Sequence, residues 1–132
     1  MTEELARLLA DVRLVSKGAT KEQIARAEAE MDCKLPEDVK ALLREHDGGR
    51  GTLGHKQPFE LWSIERIAEE CEAQEVTRAV PGLVLFGSDG GSEGYGWLAG
   101  RYGRIPFLAA GPHEFEGLGS SLLELLRALA VS

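Results

Sequence analysis

The chain is poor in sulfur and in aromatic rings, and it has no long apolar run. Its 132 residues include two Cys, two Trp, two Tyr and four Phe. Two cysteines, Cys33 and Cys71, are too few for a disulfide scaffold. Their separation fits neither a metal-ligand pattern nor a CxxC redox motif, so both are expected to be reduced and partly buried. No apolar stretch approaches the ~20 residues of a membrane-spanning helix. The opening MTEELARLLADVRLV is acidic at once and lacks the basic flank and cleavage site of a secretory signal. The expectation is a cytoplasmic protein with no membrane partner. Basic residues are also in deficit, 15 Lys and Arg against 22 Asp and Glu, for a formal net charge of −7. Phosphates repel such a surface and binding would release no counterions, which argues against nucleic acid. The same charge suits a basic protein partner, because opposite fields speed encounter and select against wrong partners.

What is present is an ordinary globular composition, 43% hydrophobic and 28% charged. The length fits one domain over residues 1–132, and no repeat, low-complexity tract or linker interrupts it. The organising stretch runs from Leu83 to Leu108, LVLFGSDGGSEGYGWLAGRYGRIPFL. Three short apolar or aromatic runs are separated by Gly-, Ser- and Asp-rich breaks, the pattern of strands and tight turns. This predicts an antiparallel meander, with helices packed around it: an α+β fold, mostly antiparallel sheet flanked by helices.

Helical spacing fills the rest. Leu5, Leu8, Leu9, Val12 and Val15 predict an amphipathic helix over 2–16, ended by Gly18. Thr20 and Gln23 form a capping box for a helix reaching Asp32, with only Ile24, Ala27 and Met31 in its apolar stripe. Pro36 suits the first position of a third helix, buried through Val39, Leu42 and Leu43 and ended by His46-Asp47-Gly48-Gly49 with a left-handed Gly cap. Residues 50–58 read as a loop and Phe59–Trp62 as a short strand. Ser63 caps a helix to Ala73, buried through Ile64, Ile67, Ala68 and Cys71. Residues 74–82 and 111–119 read as connections. Ser121 and Glu124 form a second capping box for a Leu-rich closing helix, Leu122 to Val131.

Three segments carry a family resemblance. They are Ile24-x-x-x-Glu28 with Lys34-Leu35-Pro36-Glu37-Asp38-Val39-Lys40 and Glu45-His46-Asp47-Gly48-Gly49; Phe59-Glu60-Leu61-Trp62-Ser63-Ile64-Glu65; and Leu85-Phe86-Gly87-Ser88-Asp89-Gly90-Gly91-Ser92-Glu93-Gly94-Tyr95. In order and spacing they resemble the SUKH superfamily, in its Smi/Knr-like branch of cell-wall-assembly regulators, from about residue 20 to the end. Ser92 stands where the family often has a third Gly, and Asp47 where it often has Asn. The resemblance implies an α+β fold, and for many bacterial members an immunity role, binding and neutralising a toxin. It carries over no catalytic residue.

No catalytic, metal or cofactor constellation is expected. Asp89-Gly90-Gly91-Ser92-Glu93-Gly94 lacks the Lys and following helix of a P-loop and the full ligand set of a calcium loop, so it reads as a hairpin turn that a partner can touch. His46, His55 and His113-Glu114 fall in separate loops. Cys71 lies on an apolar helix face, where a thiol is inert. Tyr95 and Trp97 share one strand face: turned inward, with Trp62 and Tyr102, they are core, and turned outward they anchor a partner. Glu69, Glu70 and Glu72 form a solvated helix face or an acidic docking patch. The expected partner-binding residues are Asp89, Ser92, Glu93, Tyr95, Asp47, Glu69 and Glu72. The expected function is a non-enzymatic immunity protein masking a cognate toxin domain, a nuclease among the options. The alternatives are a scaffold or regulatory domain with a non-toxin partner, and a hydrolase using Asp89, Glu93 or a histidine.

Overall fold

The three runs between Leu83 and Leu108 pair as their spacing predicts. Val84–Ser88 (β4), Glu93–Leu98 (β5) and Arg101–Pro106 (β6) form an antiparallel meander, with Tyr95 opposite Gly87 on one side and Arg104 on the other. The computed structural model describes residues 1–54 and 56–131. Among them the meander extends in both directions. Val12–Leu14 (β1), Gly49–Leu53 (β2) and Gln57–Leu61 (β3) precede it and Glu116–Gly119 (β7) follows, giving one seven-stranded sheet in chain order with every neighbouring pair antiparallel. With six α-helices in the described residues, the fold is α+β, an antiparallel sheet flanked by helices.

Four segments differ from their sequence reading. The first helix stops early: Glu3–Leu8 (α1) is helical, and Val12–Leu14 leaves it to pair with β2. Gly51 permits this, because a Cβ there would sit 2.2 Å from the carbonyl oxygen of Asp11. Backbone approach and β-branched Val12 thus override helical periodicity. Within the expected 50–58 loop, residues 50–53 and 57–58 are instead paired strand, in which Arg50 faces Glu60; His55 lies outside the described residues. Residues 74–82 contain the short helix Glu75–Ala79 (α5), which buries Val76 and is followed by buried Val80. Residues 111–119 hold a 3-10 turn, Pro112–Glu114, and then β7.

The remaining helices follow their caps. Lys21–Met31 (α2) has the reciprocal capping box: Gln23 N–H donates to Thr20 Oγ1 at 3.0 Å, and Thr20 N–H to Gln23 Oε1 at 2.8 Å. Glu37–Glu45 (α3) starts one residue later than expected, with Pro36 as its N-cap. Its C-cap His46 is extended, and the left-handed glycine, Gly48 (φ 107°), comes two residues on. Ile64–Ala73 (α4) is capped by Ser63 Oγ, which accepts from Arg66 N–H at 3.2 Å. Leu122–Ala130 (α6) is capped by Ser121, but Glu124 reaches back to Ser120 N–H (2.9 Å) rather than closing a reciprocal box.

These helices place the core. α4 packs on β4, α6 on β2, β6 and β7, α2 along α4, and α1 against α6. Leu122, Leu125, Leu126 and Leu129 of α6 are buried, as their density suggests. The narrow stripe of α2 is buried through Ile24 and Ala27, with Met31 half-exposed. Glu28 lies outside that stripe. It is nonetheless buried, accepts from Leu35 N–H at 2.8 Å and lies 3.5 Å from Lys40 Nζ, so its charge is met by a hydrogen bond and a cation. Truncating Leu125 or Leu126, each 0% exposed, removes transfer free energy and leaves a cavity. Leu125→Ala or Leu126→Ala is expected to lower unfolding free energy by about 2–5 kcal/mol in a urea titration.

Candidate functional site

The expected partner residues fall in three places: Asp47 at the start of α4, Asp89, Ser92, Glu93 and Tyr95 at the β4–β5 turn and on β5, and Glu69 and Glu72 in the second half of α4. At the start of α4, β3 delivers Glu60, which is 8% exposed. Its carboxylate accepts from Arg50 Nη2 at 2.6 Å and Nε at 3.1 Å, from Arg66 Nη1 at 3.1 Å, from Trp62 Nε1 at 3.2 Å and from Ser88 Oγ at 3.4 Å. Arg66 also lies over the Trp62 ring, 5.2 Å from its centroid. Burial alone would raise the Glu60 carboxyl. The Arg50 hydrogen bond, the charges of Arg66 and Arg50 and the Trp62 N–H outweigh burial and hold it below its ordinary value.

This network leads directly into the β4–β5 turn. Ser88 Oγ accepts from Gly90 N–H (3.0 Å), and Asp89 Oδ1 accepts from Gly91 N–H (2.8 Å) and Glu93 N–H (3.2 Å). Asp89 is therefore an Asx-type organiser of its own turn. Ser92 is exposed, and half-exposed Glu93 lies 3.8 Å from Arg104 Nε. Asp47 also serves the backbone: its Oδ1 accepts from Ile64 N–H at 2.7 Å, tying the end of α3 to the start of α4.

Tyr95 is withdrawn from this surface. It is 1% exposed, stacks on Phe59 at 5.7 Å, donates to Pro58 C=O (3.1 Å) and accepts from Gln57 Nε2 (2.9 Å). Burial, with the Asp89 charge nearby, pushes its hydroxyl up to about 12. Of the two facings left open for Tyr95 and Trp97, the inward one is taken, and the placing of Tyr95 among the partner-binding residues is corrected: it is core. Trp97 is half-buried against the core, Trp62 stacks on Phe107 and Tyr102 is buried. His46 Nδ1 is 2.8 Å from Val15 C=O, and exposed His113 lies 3.9 Å from Glu114. Among the described residues, no group of three or more His, Cys, Asp or Glu is arranged to hold a metal ion, and no helix is long and apolar enough to cross a membrane.

Glu69 and Glu72, in the second half of α4, are exposed. They line an open groove of about 470 Å³ between α2 and α4. Ala27, Ile64 and Ala68 give it an apolar floor, and Glu30, Glu65, Glu69 and Glu72 outnumber the one cation, Arg26. Glu30 and Glu65 were missed from sequence. Both are acids on solvated helix faces, and only the packing of α2 along α4 brings them together.

The family model for SMI1 / KNR4 (SUKH-1) matches residues 18–128. The chain belongs to this family. SUKH membership fits a protein-binding module of the immunity type, and the family's proteins are generally non-catalytic immunity or regulatory proteins. No curated protein matches the chain. Three acids in the SUKH-like segments hold this fold from within: Glu28 fixes the Leu35-Pro36 entry to α3, Asp47 caps α4 and Asp89 shapes the β4–β5 turn.

Because its folded carboxyl is held below the ordinary 4.5, Glu60 contributes stability that is present above that pH and lost as pH falls through the lowered value. Glu60→Gln is expected to destabilise by roughly 1–3 kcal/mol at neutral pH. The difference from wild type should close as both are acidified well below pH ~4, since the wild-type charge is then gone too. Urea unfolding at a series of pH values measures it.

Proposed function

We propose that this SUKH-1 chain is an immunity-type module that masks a basic protein, a bacterial toxin domain, and that the carboxylate-rimmed groove between α2 and α4 receives it. The observation that carries this reading is the setting of Glu30, Glu65, Glu69 and Glu72 around the apolar floor of Ala27, Ile64 and Ala68. Lys and Arg side chains have the matching anatomy: their aliphatic stems cover apolar surface while their cationic heads reach carboxylates at its edge. A cleft lined by one sign of charge also concentrates an oppositely charged partner and raises its association rate. The net charge of −7 supports the same sign of partner.

Glu69 and Glu72 are the principal contacts in this reading. Ser92 and Glu93 form a second, smaller contact at the β4–β5 turn. Asp89 and Asp47 act indirectly, since their oxygens are committed to backbone N–H groups.

The test is co-expression with the toxin domain encoded beside this gene. The wild-type chain should protect the cell. Glu69→Lys/Glu72→Lys should fold normally and lose protection, with the association rate reduced on the order of tenfold or more at low salt and the gap shrinking as salt rises. The reading fails if no neighbouring toxin is bound or neutralised, or if the double variant protects as well as wild type. Capture of a non-toxin partner encoded in the same operon would instead make the chain a scaffold or regulatory domain.

A further inference from the structure

The turn that follows the meander holds a leucine out in solvent. β6 ends at Pro106, and Ala109 N–H donates back to Pro106 C=O at 3.0 Å, closing a tight turn with Phe107 and Leu108 at its tip. The turn is fixed on both flanks. Phe107 N–H donates to Ser92 C=O at 2.9 Å and its ring stacks on Trp62 with centroids 6.4 Å apart, while Ala110 N–H donates to Glu114 Oε2 at 2.7 Å. Leu108 is nevertheless 95% exposed, more than any other large hydrophobic side chain among the described residues. Turn tips are ordinarily filled by Gly, Asn, Asp or Ser, which suit the bend and the solvent. A leucine held there adds nothing to the core.

Beside it lies a hollow of about 530 Å³ between this turn and α5. Ala79, Phe107, Leu108, Ala109 and Ala110 give it apolar walls, and the exposed Glu75 and Arg78 of α5 give it one charge of each sign. The α5 wall is as firmly held as the turn. Thr77 Oγ1 lies 2.8 Å from Cys71 C=O and 2.7 Å from Gln74 C=O, and Arg78 Nη1 donates to Glu72 C=O at 2.9 Å, so α5 is tied to the end of α4. Arg78 is thereby turned toward the α4 backbone and not toward Glu75 three residues before it. Among the described residues, Glu75 meets no cation at ion-pair distance.

We propose that this patch is a self-association surface, on which a second copy of the chain docks about a two-fold axis with each Leu108 seated in the other's hollow. A two-fold contact uses the same patch on both copies, so one patch must carry both halves of every complementary pair. This one does. Leu108 is the knob and the hollow beside it the hole, and Glu75 of each copy meets Arg78 of the other, so the ion pair forms twice. Charge also selects a second copy as the occupant. Copies of net charge −7 repel one another over most of their surface. One acid and one base leave this patch locally neutral, so two copies can close on it, whereas a basic protein gains nothing from it that the acidic groove does not offer better. The patch is small, so the dimer is weak and reversible. The inference is independent of what the groove between α2 and α4 receives.

The experiment is sedimentation of the full chain from ~1 μM to ~1 mM, the range in which a small contact dissociates. Wild type should pass from monomer to dimer and stop there, because a closed two-fold contact leaves no patch free. Leu108→Asp should stay monomeric throughout, with Tm unchanged at the dilute end because the side chain it replaces is exposed in the monomer. Glu75→Arg should weaken the dimer roughly tenfold, since it sets like charges against each other twice across the axis. Glu75→Arg/Arg78→Glu should restore it by exchanging the two signs. The proposal is overturned if wild type is still monomeric at the highest concentration, if it grows past the dimer, or if Leu108→Asp dimerises as wild type does. A monomeric wild type that binds a basic protein through Leu108 would give the patch to that partner and overturn the proposal equally. The Leu108→Asp comparison decides the matter even if the sign-exchanged variant folds poorly.

Discussion

The sheet has one narrow seam, and a buried carboxylate sits on it. β3 and β4 share only two register positions, Glu60 opposite Ser88 and Leu61 opposite Gly87, extended by Trp62 N–H donating to Phe86 C=O at 2.9 Å. The ladders on either side, β2 with β3 and β4 with β5, are longer. With so few backbone bonds across the junction, side chains must hold the N-terminal hairpin to the C-terminal meander. Glu60 does this by gathering Arg50 from β2, Arg66 from α4, Trp62 from its own segment and Ser88 from the neighbouring strand. A carboxylate 8% exposed is tolerable only because so many donors converge on it. The network also orients the start of α4 and, through Ser88, the β4–β5 turn. Both parts of the candidate surface are therefore hung from the same carboxylate.

Beyond Glu60 and the surface ion pairs, two groups of the chain's acids stand apart. One is spent on backbone donors inside the fold. Glu28 accepts from Leu35 N–H, Asp47 from Ile64 N–H, Asp89 from Gly91 and Glu93 N–H, and Asp38 from Leu122 N–H at the start of α6. These carboxylates act as caps and turn locks where helix and loop N–H groups have no partner of their own. The other population, on α2 and α4, lines the groove. Net charge alone does not separate them.

What was legible from sequence follows the same division. α2, α4 and α6 were readable because each carries both a side-chain N-cap and an apolar stripe, α3 because Pro36 precedes an apolar stripe, and β4 to β6 because their apolar runs are bounded by glycine-rich turns. β1, β2 and β7 were not. Arg50-Gly51-Thr52 and Glu116-Gly117-Leu118-Gly119 have little alternation of their own, and become strands because a neighbouring backbone offers them a ladder. Asp89 and Ser92 fall in the β4–β5 turn as read and Glu93 opens β5 beside it, but which oxygens there are already engaged depends on the assembled fold. Tyr95 shows the limit most clearly. Period two put it on one face with Trp97, yet which face the helices cover is a property of the assembled sheet.

The thinness of the α2 stripe, which looked like weakness, explains the groove. Protein interiors are close-packed, and facing helices ordinarily fill the space between them with large side chains. Here Ala27 on α2 and Ala68 on α4 line the interface and leave it open toward solvent. A Leu at either position would add apolar volume and turn the groove into more core. The rim acids Glu69 and Glu72 are exposed, so altering them changes stability little. The floor is set by small residues the fold requires for this opening, and the rim by charged residues it does not require. Substitutions confined to that rim leave the Glu60 seam and the Leu-rich face of α6 untouched.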